Sequence, residues 1–252
     1  MSFDVAAESY DAFMGRYSRL LSAQMADLAG VRAGQRVIDV GCGPGALMAE
    51  LVTRLGAAAV AGVDPSESFV DAARARHPGA DVRLAAAEDL PFEDATFDAA
   101  IAQLVVHFMP DPVAGLREMA RVTRPEGVVA ACVWDHAGAQ GPLGLFWDAA
   151  RELDPNVHDE SALAGAREGH LVWLFEAAGL REIEPATVVA ELEHPTFEAW
   201  WEPFEHGVGP AGAYVASLSP DGRVELRERC RMMVGAAPFV VTAKAWAARG
   251  VV

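Results

Sequence analysis

The chain has 252 residues, 52 % of them hydrophobic, and a formal net charge of −16. That length and composition bound one domain with a sizeable core and exclude a disordered chain. The acidic balance excludes a nucleic-acid partner, which needs a basic footprint. No apolar run reaches the length of a membrane span, and Met1-Ser2-Phe3-Asp4 does not start a signal peptide. Cys42, Cys132 and Cys230 lack metal-ligand spacing and read as free thiols of a reducing compartment, so the expected location is the cytoplasm. Lys244 is the only lysine, and arginine with abundant alanine marks the coding bias of a GC-rich bacterial genome.

Residues 3–29 carry Tyr10, Phe13, Met14 and Tyr17, then Leu20, Leu21, Met25 and Leu28, at helical spacing, which predicts one or two helices. Val37, Ile38 and Val40 then read as a strand covered on both faces. Gly41, Gly43 and Gly45 follow, and they allow a sharp turn and a close approach of backbone to ligand. Leu47, Met48, Leu51, Val52 and Leu55 continue as a helix, whose N-terminus presents free N–H groups.

Two ligand types use such a turn. Gly41-x-Gly43-x-x-Ala46 with Asp64 about 20 residues on fits the dinucleotide fingerprint. The other is S-adenosylmethionine (SAM), which has a ribose but no phosphate. Asp39, at the strand's C-terminal end, favours SAM: a carboxylate there repels a pyrophosphate and suits a cationic amino-acid group. Residues 58–63 read as strand two, ending at Asp64, where an acid can accept hydrogen bonds from both ribose hydroxyls. Pro65-Ser66 opens the next helix.

Asp81–Leu84 reads as strand three and Phe97–Leu104 as strand four. Gln103 and His107 lie at the C-terminal end of strand four, where open α/β sheets place ligands, and histidine alone titrates near neutrality without help. Pro112–Val122 is an amphipathic helix, Arg124–Gly127 a tight turn, and Val128–Val133 strand five. Trp134, Asp135 and His136 follow at that strand's ligand-side edge. Pro142–Leu153 and Ser161–Ala178 read as helices, the second stopped by Gly179. Glu182–Glu193 is predicted as strand six and Phe239–Ala248 as strand seven. The stretch 195–237 between them, with Trp200, Trp201, Phe204 and Tyr214, is far longer than a plain connection and reads as a lid.

The stretches VIDVGCGPG (37–45), GVDPSESFVDAAR (62–74), AAEDLPFEDATFDAA (86–100) and LREMARVTRPEG (116–127) together resemble the class I SAM-dependent methyltransferases. Within them, the likeness is to the small-molecule type related to the ubiquinone and menaquinone methyltransferases. It covers residues 1–135 well and the remainder loosely. It implies a Rossmann-like α/β fold: a mostly parallel seven-stranded sheet, an antiparallel last strand, helices on both faces and a helical lid. The expected layout is an N-terminal helical cap (1–30), a SAM-binding core (31–135), helices with strand six (136–194), the lid (195–237) and the last strand (238–252).

The resemblance further implies that Arg16 or Tyr17 closes over the cofactor and that Asp39, Gly41, Gly43, Gly45, Asp64, Pro65 and Gln103 hold it. Phe69, where the family often has a methionine, is either packed on the adenine or a core residue, with Ala87 and Glu88 expected beside the adenine. The family usually has an acid at the position of Ala86, which puts the adenine contact of that loop in doubt. His107 and His136 are the candidate catalytic residues, and Trp134, Asp135, Trp200, Trp201 and Phe204 are candidates for substrate binding. No metal is expected, and the acceptor is a small, partly apolar organic molecule. Three alternatives stay open: a SAM-dependent non-methyl reaction, a scaffold of the same fold, and an NAD-dependent oxidoreductase.

Overall fold

The computed structural model describes residues 7–207 and 209–252; the earlier part of the expected cap, before Ala7, and Val208 lie outside the described residues. Seven strands form one sheet: β1 Val37–Val40, β2 Val60–Asp64, β3 Asp81–Leu84, β4 Phe97–Gln103, β5 Thr123–Trp134, β6 Arg181–His194 and β7 Phe239–Val251. Their order is β3-β2-β1-β4-β5-β7-β6. Strands β1 to β5 pair in parallel, and β7 runs antiparallel between β5 and β6.

Parallel pairing needs crossovers, and helices supply them. These are α3 Ala46–Leu55, α4 Glu67–Arg76 and α5 Pro112–Val122; α6 Gly144–Leu153 and α7 His170–Ala178 carry the chain from β5 to β6. The N-terminal segment comes first as α1 Ala7–Tyr10, a π-helical stretch Asp11–Gly15, and α2 Arg16–Leu28. The sheet separates two cores. Leu21 and Met25 of α2 and Leu47 and Leu51 of α3 pack on one face, and Leu116 and Met119 of α5 with Leu174 and Phe175 of α7 on the other. Each such buried side chain contributes about 1.5–3 kcal/mol. Helix α5 is capped by Asp111, whose side chain accepts from Ala114 N at 3.0 Å, with Pro112 at its first turn.

The boundaries differ from the sequence reading where local backbone intervenes. Strand β2 starts at Val60, because Ala57–Ala59 form a 3-10 turn. Strand β4 stops at Gln103, because Leu104 turns into the left-handed region at φ +63. Strand β5 begins at Thr123, paired with Phe97, and the expected tight turn is an irregularity inside it. Glu126 occupies that irregularity at φ +65, a cost of about 1–2 kcal/mol for a side chain. The helix expected from Ser161 begins only at His170, because Gly165 and Gly169 both take left-handed backbone ahead of it. Helix α6 starts at Gly144 rather than Pro142, and β7 runs three residues beyond Ala248. Gly179 does end α7, at φ +90.

Between β6 and β7 the chain forms three helices, α8 Phe197–Glu205, α9 Gly209–Ser217 and α10 Pro220–Val234. Helices α8 and α9 are held to α6 by an aromatic cluster in which Phe146 stacks on Phe204 at 4.6 Å, and α10 packs directly on α6. Strand order reverses at β1, with β2 on one side and β4 on the other, so a crevice opens beyond the C-terminal ends of β1 and β4.

Candidate active site

The glycine turn after β1 is tied to β2 by Gly41 N and Cys42 N, which both donate to Val63 O at 2.8 Å. Gly41 sits at φ +72, and a Cβ there would lie 2.4 Å from Val105 Cγ2, so no larger residue fits. At Gly43 (φ +52) a Cβ would meet nothing within 4 Å, which leaves that backbone open to a ligand. Helix α4 clamps the outside of the turn: Arg76 donates to Pro44 O at 3.0 Å, and a His77 ring nitrogen sits 3.0 Å from Gly45 O. Arg76 also pairs with Asp11 of the N-terminal helix at 2.5 Å.

Asp39 is 1 % exposed, and its Oδ2 has no hydrogen-bond partner among the described residues. Burial pushes its carboxyl up to about 8; the neighbouring Asp64 adds to the rise and the Met48 N–H opposes it. Gln103 donates to Ser18 O at 2.9 Å, and its Oε1 likewise lacks a partner. Both side chains line one cavity of about 330 Å³ with Gly41, Gly43, Pro44 and Tyr10. Two buried acceptors without donors, beside an open backbone turn, fit an ammonium-bearing ligand. That is the donor pattern SAM carries at its amino-acid end.

Asp64 accepts from Gly43 N through Oδ2 and from Ser66 N through Oδ1, each at 2.9 Å. Burial raises its pKa, and these two N–H groups pull it back. Each oxygen keeps a second lone-pair direction, so closing the turn and receiving ribose hydroxyls are compatible. Phe69 follows Pro65 on the first turn of α4 and packs on Tyr10, with ring centroids 5.3 Å apart. Ala87 is buried in the same cluster as Leu116, and Glu88 Oε1 accepts from Asp111 N at 3.2 Å.

Tyr17 is placed elsewhere. Its hydroxyl meets His194 Nε2 at 2.9 Å, Arg16 meets His194 Nδ1 at 3.4 Å, and Arg16 donates to Ala199 O at 3.3 Å. These residues fasten the N-terminal helix to the end of β6 and to α8. Tyr10, one and a half to two turns earlier, lines the glycine-turn cavity instead. Sequence reasoning gave Tyr10 no site role, because helical spacing shows a face and not which residue reaches the sheet edge.

A second pocket of about 490 Å³ adjoins the first and shares Tyr10 with it. Phe13, Leu104, Trp134 and Leu143 give it an apolar lining, and His107, His136 and Glu160 are its polar groups besides Tyr10. His107 lies in a 3-10 turn after β4; its Nδ1 has no partner among the described residues, and burial holds its pKa well below the usual value. His136 follows β5, with its ring centroid 5.7 Å from that of His107 and its Nε2 unpartnered among the described residues. Burial pulls His136 down to about 4, against the charges of Asp159 and Asp135. Glu160 is 5 % exposed, accepts from Trp147 Nε1 at 3.0 Å, and has Oε2 4.0 Å from His136 Nδ1. Burial lifts its pKa to about 7, opposed by the Trp147 bond and aided by Asp159. Glu160 was missed in sequence, since a lone acid in an irregular stretch carries no pattern.

Other expected substrate residues are engaged away from this pocket's wall. Asp135 pairs with Lys244 at 2.8 Å and accepts from Gly138 N at 2.8 Å. Trp200, Trp201 and Phe204 are buried inside the aromatic cluster, and from the insertion it is Gly209, Pro210 and Ala211 that reach the pocket. Among the described residues no group of three or more His, Cys, Asp or Glu side chains is placed to hold a metal. Among them, too, no helix is long and apolar enough to cross a membrane.

Residues 38–131 match the family described as a methyltransferase domain. The chain is 34 % identical over 193 residues to 27-O-demethylrifamycin SV methyltransferase of Amycolatopsis mediterranei, covering 73 % of this chain and 68 % of that protein. It is 31 % identical over 234 residues to nocamycin O-methyltransferase of Saccharothrix syringae, covering 90 % and 73 %. The chain belongs to the SAM-dependent methyltransferases. The fold of this methyltransferase is also that of the YcgJ protein of Bacillus subtilis, at a TM-score of 0.58, 20 % identity and coverage of 91 % and 97 %. The enzyme transfers the methyl group of SAM to a small organic acceptor.

Proposed function

We propose that this methyltransferase methylates a hydroxyl oxygen of a mostly apolar small molecule bound in the pocket between Tyr10 and His136. The carrying observation is an apolar pocket that adjoins the cofactor cavity and holds two uncharged imidazoles, each with one ring nitrogen that has no partner among the described residues. A hydroxyl must lose a proton as it is methylated, and a positioned base contributes about 10²–10⁴-fold. The names of the two relatives, one a methyltransferase of 27-O-demethylrifamycin SV and the other nocamycin O-methyltransferase, agree with this class.

In this reading Asp39 and Gln103 accept from the ammonium of SAM, the turn Gly41–Gly45 lets its backbone come close, and Asp64 accepts from the ribose. Phe69 and Pro65 flank the adenine, with Ala87 and Glu88 at its edge. Bound there, SAM supplies a sulfonium-activated methyl group, which needs no acid for its leaving thioether. Trp134 shapes the acceptor pocket, and the helices of 195–237 cover it and exclude water. Tyr17 acts through His194 by holding the N-terminal helix in place. His107 and His136 are the two candidates to receive the proton.

Calorimetric titration with SAM, S-adenosylhomocysteine and NAD, followed by a labelled-methyl screen of phenols, alcohols, carboxylic acids and amines, tests the proposal. Binding of the first two ligands and label on a hydroxyl support it. Label on amines alone, or binding of NAD alone, overturns it.

A further inference from the structure

Burial creates a difficulty for both imidazoles. It keeps them uncharged, but it also makes them weak bases, because the imidazolium formed on accepting a proton would be poorly solvated. A carboxylate beside the ring relieves this, and Glu160 is the acid whose side chain lines the same pocket. Its Oε2 is 4.0 Å from His136 Nδ1, within ion-pair reach, while the other ring nitrogen, Nε2, has no partner. Trp147 Nε1 fixes the carboxyl from α6 at 3.0 Å.

We propose that Glu160 positions His136 with Nδ1 protonated, so that His136 Nε2, and not His107, takes the proton of the acceptor hydroxyl. The proposal rests on the hydroxyl-methylation reading. In the step, the acceptor oxygen forms a bond to the methyl carbon, and the carbon–sulfur bond breaks with its electron pair going to sulfur. The hydroxyl proton moves to Nε2, and the resulting imidazolium is balanced by the Glu160 carboxylate.

The surroundings single out this pair. The other acids near His136 are already engaged: Asp135 with Lys244, and Asp159 with Arg151. His107 faces His136 from the β4 side, carries no acid partner among the described residues, and is lowered further by the neighbouring imidazole. Because burial keeps Glu160 proton-bearing up to about pH 7, the pair becomes competent as the pH rises through neutrality. Glu160 is thus a positioning residue whose ionisation shows in His136.

Nitrogen NMR of the full-length protein labelled at histidine, followed between about pH 5 and 9, reads this without an acceptor. The His136 ring signals, identified by their loss in His136→Gln, are expected to show a step near neutrality and the Nδ1–H form above it. Glu160→Gln removes the step, and Glu160→Asp retains it. Trp147→Phe, which removes a donor to the carboxylate, moves it upward by about one pH unit; that variant carries the test if Glu160→Gln does not fold. A His136 titration unchanged by both substitutions, or the Nε2–H form above the step, overturns the proposal. SAM titrations on the same samples separate the two readings. SAM binding with an unaltered His136 overturns the pair alone, whereas loss of SAM binding by wild type with the step intact overturns the methyl-transfer reading.

Discussion

The two ends of the proposed active site are built in opposite ways. The cofactor end comes largely from one run of chain, Asp39 to Asp64, and backbone does much of its work: two N–H groups fixed on Val63 O, a third on Asp64, and an open Gly43. The acceptor end gathers Tyr10, His107, His136, Glu160 and Pro210 from five separate segments, and side-chain packing holds it together. The first kind of site tolerates change in distant parts of the chain. The second depends on every element that contributes a wall, which lets acceptor choice vary while the cofactor turn stays constant.

The largest effect that would sharpen this contrast is expected from Phe204→Ala. Phe204 is fully buried against Phe146, and its loss should cost about 3–5 kcal/mol in urea unfolding. SAM affinity at permissive temperature should change little; a large loss would show that the two ends are not independent. Gly41→Ala tests the other end. Left-handed backbone plus overlap with Val105 should cost about 2–4 kcal/mol and most of the SAM binding seen in calorimetry. Retained binding would break the view that backbone shape defines the cofactor end.

Asp64→Ala should weaken SAM by about 1–3 kcal/mol, the scale of a lost charged hydrogen-bond partner. Asp39→Asn bears on pH. The folded chain holds a proton on Asp39 up to about pH 8, whereas the unfolded chain releases it near the ordinary carboxylate value of 3.8. Its effect on stability is therefore most favourable below about pH 4, declines as the pH rises towards 8, and is level above that. The decline approaches about 1.4 kcal/mol per pH unit within that window, and Asp39→Asn should gain on wild type there in urea unfolding. SAM binding near pH 7 should release up to about one proton as Asp39 ionises against the ammonium, read as calorimetric enthalpies that vary with the buffer. The smallest effect is expected at Glu88, partly exposed and bonded to Asp111 N: Glu88→Ala should cost about 1 kcal/mol of SAM affinity or less.

How much of this was legible in sequence follows from the same contrast. Strand β3 and helix α5 were readable to the residue, because alternation, proline and cap signals are local. The break before α7 was not, since Gly165 and Gly169 stop a helix only where the backbone actually turns left-handed. Tyr17, Asp135 and Trp201 were sensible site candidates by type and position. Their partners, His194, Lys244 and Glu205, lie too far along the chain, or on too ordinary a surface, to reveal those commitments.

The sequence by itself marked the buried first strand, the glycine turn and the two acids beside it, Asp39 and Asp64. Those features depend on backbone freedom and short-range spacing, which are written residue by residue. Only the tertiary structure decided that Tyr10 reaches the turn, that the tryptophans of the insertion are its core, and that Glu160 stands beside His136. Each of those depends on which long-range surfaces exclude water together, and burial is what turns an ordinary carboxyl or imidazole into a group with altered proton affinity.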